Sequence, residues 1–190
     1  AKYTSKQFYR DQDNPEGKLK VMTETPDKVS IECFQAVKVN GKRDNETKSK
    51  VVIAEAEEIV KIIHSLTSSK NQGLFDEDYK LPKHIDPNNF TIGVISMIRD
   101  QCTKIAELIE EKLPDLDAVY ELMIGTPEEF QGNERDIMIF SLCLDTDCKR
   151  GQGHYQDAKR LNVATSRAKS FTYFVYSPFD RTFNEIYKYL

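Results

Sequence analysis

The sequence predicts an α/β domain built on a mainly parallel sheet, and three observations carry that expectation. Short apolar runs recur at residues 90–96, 118–124, 137–142 and 171–177. Between several of them, apolar residues fall at helical spacing, as in Val52, Ala56, Ile59, Val60 and Ile63, or Ile98, Cys102, Ile105, Ile109 and Leu113. The run FTIGVIS at 90–96 is nearly continuous rather than alternating, which suits a strand buried on both faces. Strands that alternate with helices imply parallel pairing through crossover connections.

Each element has its own local reason. Residues 1–28 are polar and interrupted by Pro15, Gly17 and Pro26, so they form a loop-rich lead-in to a single domain over 29–190. From Val29, VSIECFQAV alternates apolar and polar residues like a strand. NGKRDNET is turn chemistry. The stripe from Val52 to Ile63 predicts a one-sided helix, with Glu55, Glu57, Glu58 and Lys61 outside the stripe. Residues 65–89 are polar, contain Gly73, Pro82 and Pro87, and read as a long, mobile surface excursion. Pro114 ends the helix that begins near Ile98. QDAKRLNVATSRAKS at 156–170 predicts a helix capped by Asp157 and holding both Arg160 and Arg167 on one face. FTYFVYS is a strand, and 178–190 a closing helix. Residues 143–156 read as a second mobile loop.

Composition sets bounds. A chain of 190 residues can bury the core of one domain. The net charge of −4 gives no overall basic footprint, so any nucleic-acid site must be local. No apolar run approaches the roughly 20 residues needed to span a bilayer, and no signal peptide is present, so no membrane partner is expected. Cys33, Cys102, Cys143 and Cys148 do not form a disulfide framework, which suits a reduced, intracellular and cytoplasmic protein. Cys143, Cys148 and His154 lie close in sequence, but their spacing is not a zinc pattern, so no metal site is expected. The polar start at Ala1, without Met, suggests a fragment of a larger protein.

Three segments are more specific. IGVISMIRDQ (92–101), GTPEEFQGNERDIMIFS (125–141) and KRLNVATSRAK (159–169) occur in this order. Together they resemble the fourth, fifth and sixth motifs of superfamily 1 helicases, in the branch of the nonsense-mediated-decay helicase and its bacterial relatives. The resemblance covers about the second half of the chain. It implies the second, C-terminal RecA-like domain of a motor that hydrolyses ATP with Mg2+ in a cleft between two such domains. Arg167 matches the family's arginine finger, and Arg160 matches a family position beside it. Arginine suits this work because its charge is permanent and its fork fits phosphate oxygens. Glu134 matches a nucleotide-contacting carboxylate, with Gly132 and Gln131 beside it. Gly132 suits a tight approach or a positive φ at the bend. Thr126, Ser96 and Gln101 match positions that grip a single strand of DNA or RNA. At the hydroxyl positions, helix or turn capping is an equal alternative.

The chain also departs from the pattern. Met97 and Ile98 stand where Pro-Tyr is usual, Pro127 replaces Val, and Glu128 stands at the usual Asp. No G-x-x-x-x-G-K-[ST] phosphate loop occurs, so the ATP and Mg2+ sites are expected mainly on the first RecA-like domain. The fragment alone is expected to be inactive. The alternative is a non-enzymatic, degenerate RecA-like module that binds nucleic acid or a protein partner.

Overall fold

The structure is a computed structural model, and it describes residues 34–44, 50–68, 79, 81–116, 120–146, 155 and 157–179. Among the described residues, five strands and three helices follow one another: β1 (Phe34–Lys38), α1 (Ile53–Thr67), β2 (Ile92–Ser96), α2 (Arg99–Lys112), β3 (Leu122–Gly125), β4 (Arg135–Ser141), α3 (Ala158–Thr165) and β5 (Ala168–Tyr176). All four strand pairings are parallel, in the order β1-β5-β4-β2-β3. This is the helix-flanked parallel sheet of a RecA-like α/β domain. The lead-in 1–28, the start of the strand expected from Val29, Cys148, His154 and the closing helix beyond Phe179 lie outside the described residues.

The two faces have separate cores. On one, Ile59, Ile62 and Ile63 of α1 and Ile105 and Ile109 of α2 pack on Ile92, Val94, Ile137, Ile139 and Tyr173. On the other, Phe130, Leu161 and Ala164 pack on Ile95, Met138, Phe140 and Phe174. Neighbouring residues of each central strand thus serve opposite faces, which is why β2 is buried at all five positions. Truncating Ile59, Ile62 or Ile63 to Ala would cost about 2–5 kcal/mol, since each is fully buried.

Two close approaches shape the connections. The chain from β3 to β4 crosses above β2 in only nine residues, 126–134. Phe130 seats this crossover on Gly93, where a Cβ would lie 2.9 Å from Phe130 Cε1 and collide with Met138 Sδ. Because β2 leads to α2 on one face and β4 leads to α3 on the other, the topological switch point lies between β2 and β4.

Several expectations need correction. Glu55, read as lying outside the apolar stripe, is fully buried. Where they are described, the expected surface stretches are partly buried: Leu66 and Ile85 in the first, and Cys143, Leu144, Asp145 and Tyr155 in the second. Arg160 and Arg167 do not share a helix. Asp157 does cap α3, accepting from the main-chain N–H groups of Lys159 at 2.9 Å and Arg160 at 3.4 Å. The helix stops at Thr165, however, whose hydroxyl turns back to the Leu161 carbonyl at 2.8 Å. Ladder pairing of Ala168 with Arg135 then draws the chain out into β5.

Candidate functional site

The stretch between β3 and β4 begins and ends at opposite edges of the sheet. Thr126 follows β3 at the carboxyl edge, and Glu134 precedes β4 at the amino edge. Thr126 opens a capped turn. Its N–H and its hydroxyl both donate to Glu129 Oε2, at 2.7 and 3.1 Å, while its carbonyl accepts from the N–H groups of Glu129 and Phe130. These bonds hold the Glu129 carboxyl below the ordinary carboxylate range. The other Glu129 oxygen meets Arg99 Nη1 at 3.2 Å. Gly132 turns the chain back with φ +84, and a Cβ there would meet nothing within 4 Å. Its requirement is therefore the dihedral and not close packing. Gln131 and Glu134 are exposed.

At the amino edge, the Arg135 N–H donates to the Arg167 carbonyl at 3.1 Å. Glu134 and Arg167 thereby come to neighbouring strand starts. Arg135 is tied to Glu121 at 2.9 Å and to the Glu134 carbonyl at 2.9 Å. Asp136 accepts both the N–H and the hydroxyl of Thr91, fastening the same edge to the entry of β2. Arg167 itself is half-buried. Its Nη2 donates to Ser166 Oγ at 2.9 Å, its Nε has no partner, and no carboxylate pairs with it among the described residues.

Arg160 is placed differently. Its Nη2 donates to Glu128 Oε2 at 3.0 Å and its Nε lies 2.6 Å from Oε1, an ion pair between α3 and the crossover turn. The hydrogen bond to Arg160 is the main reason that the Glu128 carboxyl is held low.

At the carboxyl edge, Ser96 and Gln101 are both fully buried. Ser96 Oγ accepts from the Ile98 N–H at 3.4 Å. The Gln101 amide is used within the protein: Oε1 accepts the Val52 N–H at 2.9 Å, and Nε2 donates to the Val52 carbonyl and to Ser141 Oγ, both at 3.1 Å. Gln101 thus braces the start of α1.

Sequence reasoning missed the densest polar cluster. Glu55 accepts from Ser141 Oγ at 2.8 Å and from the main-chain N–H groups of Cys143 at 2.7 Å and Ser177 at 3.0 Å. Burial pushes its carboxyl up to about 7 against the pull of these bonds. Cys143 adopts φ 53. Its carbonyl accepts from Arg43 Nε at 3.0 Å and from the Tyr155 hydroxyl at 3.2 Å, and its thiol donates to the Lys50 carbonyl. Burial and the nearby Glu55 carboxylate push that thiol far up. The only sequence signal was an acidic residue within the first turn of a helix that follows a turn.

A parallel, helix-flanked sheet, with Glu134 and Arg167 brought to neighbouring strand starts, places the chain in the class of RecA-like α/β domains. Comparison with known proteins is consistent with this class. The profile of the family described as AAA domain matches residues 1–177. The protein named as helicase MOV-10 in Gallus gallus is 33% identical over 156 residues, covering 77% of this chain and 15% of its own length. Helicase sen1 of Schizosaccharomyces pombe is 39% identical over 84 residues, covering 43% and 5%. The regulator of nonsense transcripts 1 homolog of Drosophila melanogaster is 34% identical over 79 residues, covering 41% and 7%. The chain belongs to this AAA-domain family and, with these relatives, to the superfamily 1 helicases of the nonsense-mediated-decay branch. It spans only a small part of the length of these relatives. No helix among the described residues is long and apolar enough to cross a membrane.

Proposed function

We propose that this chain is the second RecA-like motor domain of an intracellular, ATP-dependent nucleic-acid helicase, and that Arg167 is its arginine finger. The observation that carries the reading is the difference between the arginines. Arg99, Arg135 and Arg160 each pair with a carboxylate, whereas Arg167 is half-buried and pairs with no carboxylate among the described residues. A guanidinium so placed suits an incoming phosphate. ATP supplies the phosphoryl group, with Mg2+ neutralising part of its charge. In this reading Mg2+ is held mainly by the other RecA-like domain of the same protein, which would supply the G-x-x-x-x-G-K-[ST] phosphate loop that this sequence does not contain.

In this reading Arg167 acts from the amino edge, with Glu134 and Gln131 exposed beside it and Gly132 fixing their bend. Thr126 contributes to the grip on a single strand of DNA or RNA from the carboxyl edge. Ser96 supports that grip from within by shaping the exit of β2, and Gln101 by bracing the start of α1. Arg160 supports the turn through Glu128.

The test is ATP hydrolysis by the intact protein, with and without a single strand. Arg167→Ala should lower turnover by on the order of 10³-fold, as removal of an arginine finger does elsewhere, while strand binding stays within a few-fold. Thr126→Ala should instead weaken strand-stimulated turnover. Near-parental hydrolysis by Arg167→Ala would remove the finger assignment.

A further inference from the structure

Main-chain bonds hold most of the crossover 126–134. The N–H groups of Glu129, Phe130, Gln131 and Asn133 all donate to carbonyls within it, and Asn133 Nδ2 donates to the Glu129 carbonyl at 3.3 Å. Glu134 is the exception. No main-chain hydrogen bond among the described residues engages its N–H or its carbonyl. A side chain holds it instead: Arg135 Nη1 donates to the Glu134 carbonyl at 2.9 Å. The ladder is irregular at this point, since the pairing of β4 with β5 shifts register between Arg135 and Ile137. A bond from a charged donor supplies what the ladder does not.

Arg135 is itself fixed from two sides. Its Nη2 meets Glu121 Oε1 at 2.9 Å and donates to Met123 Sδ at 3.7 Å, so the guanidinium reaches past β2 to the start of β3. Its main-chain N–H donates to the Arg167 carbonyl at 3.1 Å. The Arg135 side chain is only 14% exposed, whereas Glu134 is exposed beside it. The guanidinium is thus turned along the sheet edge and covered, and the carboxylate next to it is left open to a ligand.

We infer that Arg135, steadied by Glu121, is the positioning residue that holds Glu134 toward the nucleotide at the amino edge. The inference rests on the reading of Glu134 as a nucleotide contact. A contact made equally in the bound and the reacting state lowers KM without changing kcat, so this device acts on KM for ATP. Serving two partners at once requires the fork of arginine, since lysine donates from a single point.

The experiment measures kcat and KM for ATP on the intact protein with a saturating single strand. Glu134→Ala tests the reading and should raise KM about tenfold, the effect of one lost hydrogen bond to a charged group. Arg135→Met keeps the apolar stem but makes neither polar bond. It should raise KM roughly fivefold, with kcat within about twofold of the parent. Arg135→Lys should recover part of that loss. Glu121→Gln alters an exposed position and should raise KM about twofold without unfolding the protein, so it carries the test if Arg135→Met does not fold. In a Glu134→Ala background, neither Arg135→Met nor Glu121→Gln should raise KM further, whereas a general loosening of the domain would add to it. An unchanged KM in Glu134→Ala removes the reading of Glu134, and the inference with it. If Glu134→Ala raises KM but the Arg135 and Glu121 variants keep the parental value, or add in full to Glu134→Ala, the inference alone is overturned. A fall in kcat at unchanged KM in Arg135→Met also overturns it, because Arg135 would then act through Arg167.

Discussion

The main-chain N–H of Arg135 donates to the carbonyl of Arg167 across 3.1 Å, joining the starts of β4 and β5 into one edge. The bond uses only backbone atoms. It fixes where the Arg167 side chain begins without engaging the guanidinium, which touches Ser166 Oγ and no carboxylate among the described residues. Positioning and chemistry at this residue can therefore be separated by mutation.

Arg167→Ala should unfold within about 1 kcal/mol of the parent in denaturant titration, because neither a core contact nor an ion pair is lost. Arg167→Lys should keep a charge at the site but lose the planar fork, and so recover only part of the hydrolysis that Arg167→Ala loses. A large loss of stability in Arg167→Ala would mean that the side chain carries structure and not catalysis.

The Glu128–Arg160 pair should behave as a strut. A double-mutant cycle with Glu128→Gln and Arg160→Gln should give a coupling of at most about 1 kcal/mol, since Glu128 is 59% exposed and solvent screens it. High salt should shrink the coupling. The folded-state carboxyl of Glu128 is held low, so its contribution is present above the ordinary carboxylate range and is lost as the pH falls through the folded value. A coupling that is unchanged by salt and acid would contradict this description.

Two glycines should fail for different reasons. Gly132→Ala meets open space but must adopt φ +84, and should lose roughly 1 kcal/mol, with Gly132→Asn losing less. Gly93→Ala is dihedrally ordinary but drives a methyl into Met138 and Phe130, and should lose about 1–3 kcal/mol. Denaturation midpoints of the three variants test the distinction. If Gly132→Asn loses more than Gly132→Ala, the dihedral account of this bend is wrong.

Glu55 gives a pH signature. Its folded value of about 7 lies above the ordinary 4.5, so the folded state holds the proton more tightly. The resulting stability is complete below the unfolded value and is lost as the pH rises through the folded one. Relative to Glu55→Gln, the parent should lose roughly 3 kcal/mol between pH 4.5 and pH 8. The groups beside it are the Cys143 thiol, which stays protonated throughout, and the Arg43 guanidinium, which stays charged. Taking the difference between parent and variant cancels the opposite slopes of Glu128 and Glu129. A difference that does not change with pH would show that Glu55 does not titrate in this range.

The sequence by itself determined the parallel α/β class, because continuous apolar runs such as FTIGVIS have few other uses, and it determined the order of strands and helices. It also determined two local features: the Asp157 cap, because a carboxylate just before a helix meets free N–H groups, and the Gly132 bend, because positive φ favours glycine. Tertiary structure alone decided the end of α3. The helical pattern ran on through Arg167, but pairing of Ala168 with Arg135 supplied ladder bonds that helical propensity could not match. It also decided the fate of Glu55. An acidic residue at the margin of a stripe reads as solvated, and nothing local announces that two strand exits from distant parts of the chain will aim their N–H groups at it. The same reason hid the pairing of Arg160 and the freedom of Arg167. Periodicity fixes which face a residue takes, but partners are chosen by contacts between residues far apart in sequence.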